Sequence, residues 1–331
     1  MSPESTGPAF LALPDLASRA LAGSVVHAND ELFAARENLV TPGPPVHDPR
    51  AFGPRGKVYD GWETRRRRTP GNDAAIVRLG VRGAVRGVVV DTAWFVGNYP
   101  PRVSVQGVDL PGYPSVEELV AASWQPLVPV SEVEGDTTNA FGVDGSPACT
   151  HVRLTLHPDG GVARLRVHGR PMPPSALLTG TIDLAGLENG GDVVDCSDAF
   201  YASARNLLMP GRARTTGEGW ETARRRGAGN DHVTVRLAGR GTVRRLVVDT
   251  SCFVGNAPAE VLVRGCVGEP DGDRAPDGWV TLLPLSTVQP DTRHVLTVDG
   301  DVATAPVDHV RLDVFPDGGL ARLRVLGELS P

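Results

Sequence analysis

The chain has 331 residues, of which 40% are hydrophobic and 22% charged, and 33 Lys and Arg against 39 Asp and Glu leave a net charge of −6. At roughly 100–200 residues per domain this makes two or three domains, each able to bury its own core. Mild acidity repels polyphosphate at long range, and no apolar run approaches the ~20 residues of a membrane span, so neither nucleic acid nor membrane is expected as a partner.

Residues 1–14 lack the basic start and apolar core of a signal peptide. Residues 1–23 read as a flexible leader, and the cytoplasm as the location. The segment Tyr59-Asp60-Gly61-Trp62-Glu63-Thr64-Arg65-Arg66-Arg67-Arg68 then concentrates acids, aromatics and four guanidiniums. Gly71-Asn72-Asp73 follows as a turn that can aim backbone N–H groups and a carboxylate at one spot. Residues 85–91 (VRGVVVD) are almost continuously apolar, as in a strand buried on both faces. A polar turn closes that strand from Asp91 to Asn98, where Asn98 suits a left-handed conformation.

Val103 and Val105 oppose Arg102, Ser104 and Gln106, the alternation of a half-buried strand. Ser115-Val116-Glu117-Glu118 has capping-box spacing and opens a short helix toward Trp124. Val152, Leu154 and Leu156 alternate with His151, Arg153 and Thr155, and Leu165 and Val167 with Arg164 and Arg166. With Pro158-Asp159-Gly160-Gly161 between them, residues 151–168 predict a hairpin. Its His151, Arg153, Arg164 and Arg166 would share one polar face, read as an outer surface or interface ahead of a carboxylate site. Arg170-Pro171-Met172-Pro173-Pro174 starts a stiff linker over 171–189.

The chain then repeats itself. GWET at 61–64 recurs at 219–222, an offset of 158, and Gly71-Asn72-Asp73 recurs as Gly229-Asn230-Asp231. Phe95-Val96-Gly97-Asn98 returns as Phe253-Val254-Gly255-Asn256, and ARLRV at 163–167 returns unchanged at 321–325. Upstream, residues 25–39 match 193–207 at an offset of 168, so the first copy carries a ten-residue insertion before Gly61. A repeat this long is a duplicated domain. The copies are placed at 24–170 and 190–331. The alternation and the lack of long amphipathic helices make each an antiparallel β-sandwich of jelly-roll type.

Cys149, Cys196, Cys252 and Cys266 form no C-x-x-C pair and read as free thiols. No P-loop, dinucleotide glycine motif, H-E-x-x-H or G-x-S-x-G occurs. An exposed, salt-bridged edge strand would also explain the arginine run. Its recurrence, each time just ahead of the same turn, favours a site.

GWETRRRR at 61–68, GND at 71–73, DTAWFVGNYPP at 91–101 and HVRLTLHPDGGVARLRVHG at 151–169 together resemble the allantoicase family, over about residues 25–327. The resemblance implies an all-β fold of two tandem galactose-binding-like jelly rolls, a homo-oligomer, and hydrolysis of allantoate to ureidoglycolate and urea in purine catabolism. The second copy has Ala223 for Arg65 and Gly217-Glu218 for Tyr59-Asp60, so the two copies are not equivalent.

Allantoate joins one carboxylate and two ureido groups at one carbon. An Arg fork suits the carboxylate, and acid–base groups suit the departure of urea. Glu63 and Asp73, with Glu221 and Asp231, are the candidate catalytic residues. Arg66 and Arg224 are the candidate carboxylate anchors. Arg65, Asn72, Asn98, Asn230 and Asn256 are further binding candidates, and Trp62 and Trp220 a wall that excludes water. The arginines are expected to keep nearby carboxylates ionised, which suits a base. A divalent metal, Mn²⁺ or Mg²⁺, is an alternative source of Lewis acidity, although no ligand set is legible. The rival readings are a non-catalytic tandem carbohydrate- or small-ligand-binding sandwich and a structural oligomerisation protein.

Overall fold

The computed structural model describes residues 7–330, and the chain divides into two compact units between Met172 and Pro173. One long strand organises each unit. In the first it is Asp73–Asp91. Its first part pairs with Ser24–Ala28 on one side and Ala148–His157 on the other. Beyond Ala148–His157 lie Arg102–Val108 and Gln125–Glu132. The register breaks between Arg78 and Gly83. Past the break the strand pairs with Arg164–Pro171 and Thr138–Gly142. One strand therefore serves a five-stranded and a three-stranded layer, which makes an antiparallel sandwich of jelly-roll type. At the corner the backbone comes so close that a Cβ on Gly80 would lie 1.9 Å from the Leu21 carbonyl oxygen.

The second unit repeats the plan around Asp231–Asp249, with Asp192–Cys196 and Pro306–Phe315 on its first part and Arg322–Leu329 and Arg293–Thr297 on its second. Alternation decides what the layers bury. Val77, Val85, Val88, Val90, Val105, Leu154, Leu156 and Leu165 are fully buried, each side chain contributing about 1.5–3 kcal/mol relative to an exposed one. Val88, Val89 and Val90 are all buried, as the apolar run predicts. The Ser115 capping box forms at the head of the helix Val116–Ala121. No helix among the described residues is long and apolar enough to cross a membrane.

Three expectations are corrected. From about residue 9 the predicted leader is packed: Phe10 covers Gly87, Leu16 and Ala17 are fully buried, and the Leu16 N–H donates to the Val167 carbonyl at 2.8 Å. Residues 1–6 of that leader lie outside the described residues. Much of the predicted linker belongs to the second unit, because Ile182–Asp183 pairs with Arg322–Leu329 and Leu184, Ala185 and Leu187 are fully buried. Residues 151–168 are no hairpin. Their two strands pair with different parts of the long strand, and Gly161–Val162 pairs with Trp62–Glu63; residues 309–326 behave alike. Alternation identifies the apolar face of a strand but not its neighbour.

His151 lies 1% exposed within this sheet, and burial, aided by the Arg78 charge, pushes its pKa down to about 4. A neutral buried imidazole stabilises the fold fully above pH 6.5 and progressively less as pH falls toward 4. Chemical denaturation between those pH values should show a loss of about 3 kcal/mol from this group. His151→Asn should flatten that slope, and an unchanged slope would remove His151 as its source.

Candidate functional site

Both ends of the long strand meet the same connecting segment. The Asp73 N–H donates to the Pro158 carbonyl at 2.9 Å, and the Ala163 N–H donates to the Asp91 carbonyl at 2.7 Å. The same segment takes the Thr64 N–H on the Gly160 carbonyl and gives the Gly161 N–H to the Asn98 carbonyl. The repeated motifs, 80 and more residues apart in places, thus collect at one end of the sandwich.

Phe95 anchors that end. Its ring is fully buried, and a Cβ on Gly161 would lie 2.1 Å from it and one on Gly61 2.8 Å. Phe253 meets Gly319 and Gly219 in the same way. Trp62 is fully buried and donates its indole N–H to the Asp30 carbonyl at 2.7 Å; Trp220 does the same to Asp198. The tryptophans are therefore core and not a wall around substrate. A large apolar ring gains most from burial when its one donor finds an acceptor.

Glu63 is half-buried beside a neutral partner, with Asn98 Nδ2 donating to Glu63 Oε1 at 2.8 Å. Burial raises its pKa above the ordinary value, and the Asn98 bond offsets only part of that. The expectation that arginine keeps this carboxylate ionised is overturned, since every arginine contact in the segment goes elsewhere. Asn256 donates to Glu221 Oε1 at 2.7 Å in the second unit. The left-handed residue of the first turn is Trp94, φ 71°, and not Asn98.

Asp73 is 1% exposed and accepts from Asn29 Nδ2 at 2.9 Å and from Arg67 Nη1. The Arg67 backbone N–H in turn donates to Asp159 Oδ2 at 2.7 Å. In the second unit Asp231 accepts from Ser197 Oγ and Arg225, and Asp317 receives the Arg225 N–H. Sequence reasoning passed over Arg67, Arg225, Asp159 and Asp317. The available signal was alternation in the extended segment. Arg65 and Arg67 turn toward Asp30 and Asp73, whereas Arg66 and Arg68 are exposed with no partner among the described residues. Arg224 is likewise exposed and unpaired there. Asn72 is exposed, and Asn230 donates to Asp313 Oδ1 at 3.1 Å.

Arg65 is 63% exposed, and its pairing with Asp30 falls on Ala223 in the other copy. An exposed ion pair contributes at most about 1 kcal/mol. Arg65→Ala should therefore lower stability by less than that in denaturant titrations; a larger loss would give this pair a structural role.

Arg153 lies in the five-stranded layer, apart from Arg164 and Arg166, which share one face of the three-stranded layer and both donate to the Gly43 carbonyl. Arg164 is buried in the three-stranded layer and holds the first-copy insertion through the Gly43 and Asp60 carbonyls and the Asp60 carboxylate, while Arg166 meets Asp15. Among the described residues no group of three or more His, Cys, Asp or Glu is placed to hold a metal ion.

Fold and site together define a tandem-repeat β-sandwich protein with a carboxylate–carboxamide pair and a sealed arginine–aspartate pair at one end of each copy. An allantoicase-repeat family model matches residues 14–172 and 182–330. A probable allantoicase of Nocardia farcinica is 53% identical over 97% of this chain and 96% of its own length. One of Streptomyces avermitilis is 46% identical over 97% of this chain and 87% of its own. The crystal structure of Saccharomyces cerevisiae allantoicase superposes with a TM-score of 0.79 at 34% identity, covering 95% of this chain and 92% of that one. The chain belongs to the allantoicase family.

Proposed function

We propose that the chain hydrolyses allantoate to ureidoglycolate and urea, a step of allantoin breakdown, at the polar end of the sandwich. The observation that carries the chemistry is Glu63: a half-buried carboxyl whose pKa is raised and whose hydrogen-bond partner is a neutral amide. Urea leaves poorly as an anion, so the leaving nitrogen needs a proton. Glu63 in its acid form supplies it as the C–N bond breaks; water brings the new hydroxyl to the carbon and gives its remaining proton to the Glu63 carboxylate, which restores the acid. Asn98 positions Glu63. Arg66, exposed and unpaired among the described residues, anchors the substrate carboxylate. Asp73, sealed beneath Arg67, positions the arginine segment. Glu221, Asn256, Arg224 and Asp231 are the counterparts in the second unit.

Urea release from allantoate tests this reading. Loss of a charge-assisted hydrogen bond of about 1.5–3 kcal/mol should raise KM about 10- to 100-fold in Arg66→Gln. Binding of allantoate by the wild-type chain without urea release would instead favour a non-catalytic binding sandwich.

A further inference from the structure

A groove of about 490 Å³ lies on the outer face of the first unit's five-stranded layer, lined by Ser104, Gln106, Pro129, Arg153, Thr155 and His157 among others, with no acidic residue. Arg153 stacks on the Trp124 ring at 4.9 Å. Its Nε and Nη2 both donate to one neutral acceptor, Gln106 Oε1, at 3.0 and 2.5 Å. Among the described residues no carboxylate pairs with it. His157 Nε2 lies 3.0 Å from Ser104 Oγ, and burial followed by the Arg102 charge lowers its pKa, so the ring enters the groove neutral. A half-buried guanidinium on an aromatic face with only an amide to satisfy it is an incomplete carboxylate site.

The second unit shows the completed form. Arg311 stands where Arg153 does, Arg264 where Gln106 does, Asp313 where Thr155 does and Phe315 where His157 does. Asp313 accepts from Arg311 Nε at 3.0 Å and Arg264 Nη2 at 2.8 Å, and Asp273 reaches Arg311 Nη2 at 2.9 Å. There the chain fills the anion position with its own carboxylates. In the first unit Thr155 leaves the position open.

We propose that this groove is a second small-molecule site, separate from the polar end, and takes the carboxylate of a small organic acid against Arg153 and Thr155, where Asp313 sits in the other copy. The anion chemistry stands by itself; only the choice of a ureido acid as ligand rests on the allantoicase reading.

The probe is hydantoate, which has one carboxylate and a single ureido group. It is titrated into the full chain while the His157 ring resonance is followed by NMR. Wild-type protein should show a saturable shift. Arg153→Gln and Thr155→Asp should weaken it about tenfold or more, the loss of a charge-assisted contact. Thr155→Asp installs a pair the second unit already carries, so the fold should hold. Thr155→Val, which adds no charge, should weaken binding only a few-fold.

No shift in the wild type, or equal affinity in Thr155→Asp, overturns the site. Urea release should stay within about twofold of wild type in Thr155→Asp, because no contact to the polar end is altered; its loss would merge the groove with the reaction site and overturn the separation. A changed sedimentation of Thr155→Asp with an unmoved His157 ring would assign the carboxylate to another copy of the chain and also defeat the proposal. Wild-type protein that binds hydantoate here but releases no urea would refute the enzymatic reading alone.

Discussion

Glu63→Gln should lower urea release about 10²- to 10⁴-fold while leaving the thermal midpoint unchanged or slightly raised. The two halves of that result have one cause. Burial disfavours the charged form of Glu63 and raises its pKa in the fold. Its contribution to stability is therefore full below the unfolded carboxyl pKa and is lost as pH rises through the folded one. At neutral pH a glutamine of the same shape escapes that cost, and its Oε1 still accepts from Asn98, which donates at 2.8 Å in the wild type. What glutamine cannot do is give up a proton to a leaving nitrogen. In the wild type, kcat should fall as pH rises through the raised Glu63 pKa, because the acid form disappears. Near-wild-type turnover in Glu63→Gln would remove Glu63 as the acid.

Phe95→Ala should destabilise the first unit by about 3–5 kcal/mol. The ring is fully buried between two glycines that have no side chains with which to fill the vacated space. At about 2–4 °C per kcal/mol for a domain of this size, calorimetry should show a midpoint lower by roughly 10 °C. Its neighbour Val96 is 71% exposed, and Val96→Ala should stay within about 0.5 kcal/mol. A Phe95→Ala midpoint within 2 °C of wild type, well below the shift that scale implies, would show that the glycine pair closes on itself. The loss should also reduce turnover, since Gly161–Val162 pairs with Trp62–Glu63 and so carries the proposed acid.

Much of this molecule is legible before folding. The duplication, the all-β class and the buried run at 88–90 follow from periodicity, because a half-buried strand must alternate and a doubly buried one must not. The Ser115 cap is legible because its partners are three residues apart. Glu63 and Asn98 were singled out separately, but nothing local shows that they touch across 35 positions. The arginine run was visible; which arginines are spent was not. Arg67 goes to Asp73 and Arg65 to Asp30, leaving Arg66 without a partner among the described residues.

By itself the sequence determined that two homologous sandwiches form and which faces of their strands are apolar, since both are properties of local pattern. Only the tertiary structure decided that residues 9–23 and 182–189 pack onto the sandwiches and bury Leu16, Ala17, Leu184 and Leu187, that 151–168 splits between two layers, and that Trp62 is packed away while Glu63 hydrogen-bonds a neutral amide. The physical reason is that side-chain protonation and burial depend on neighbours brought together by long-range pairing, whereas alternation is written within a few consecutive residues.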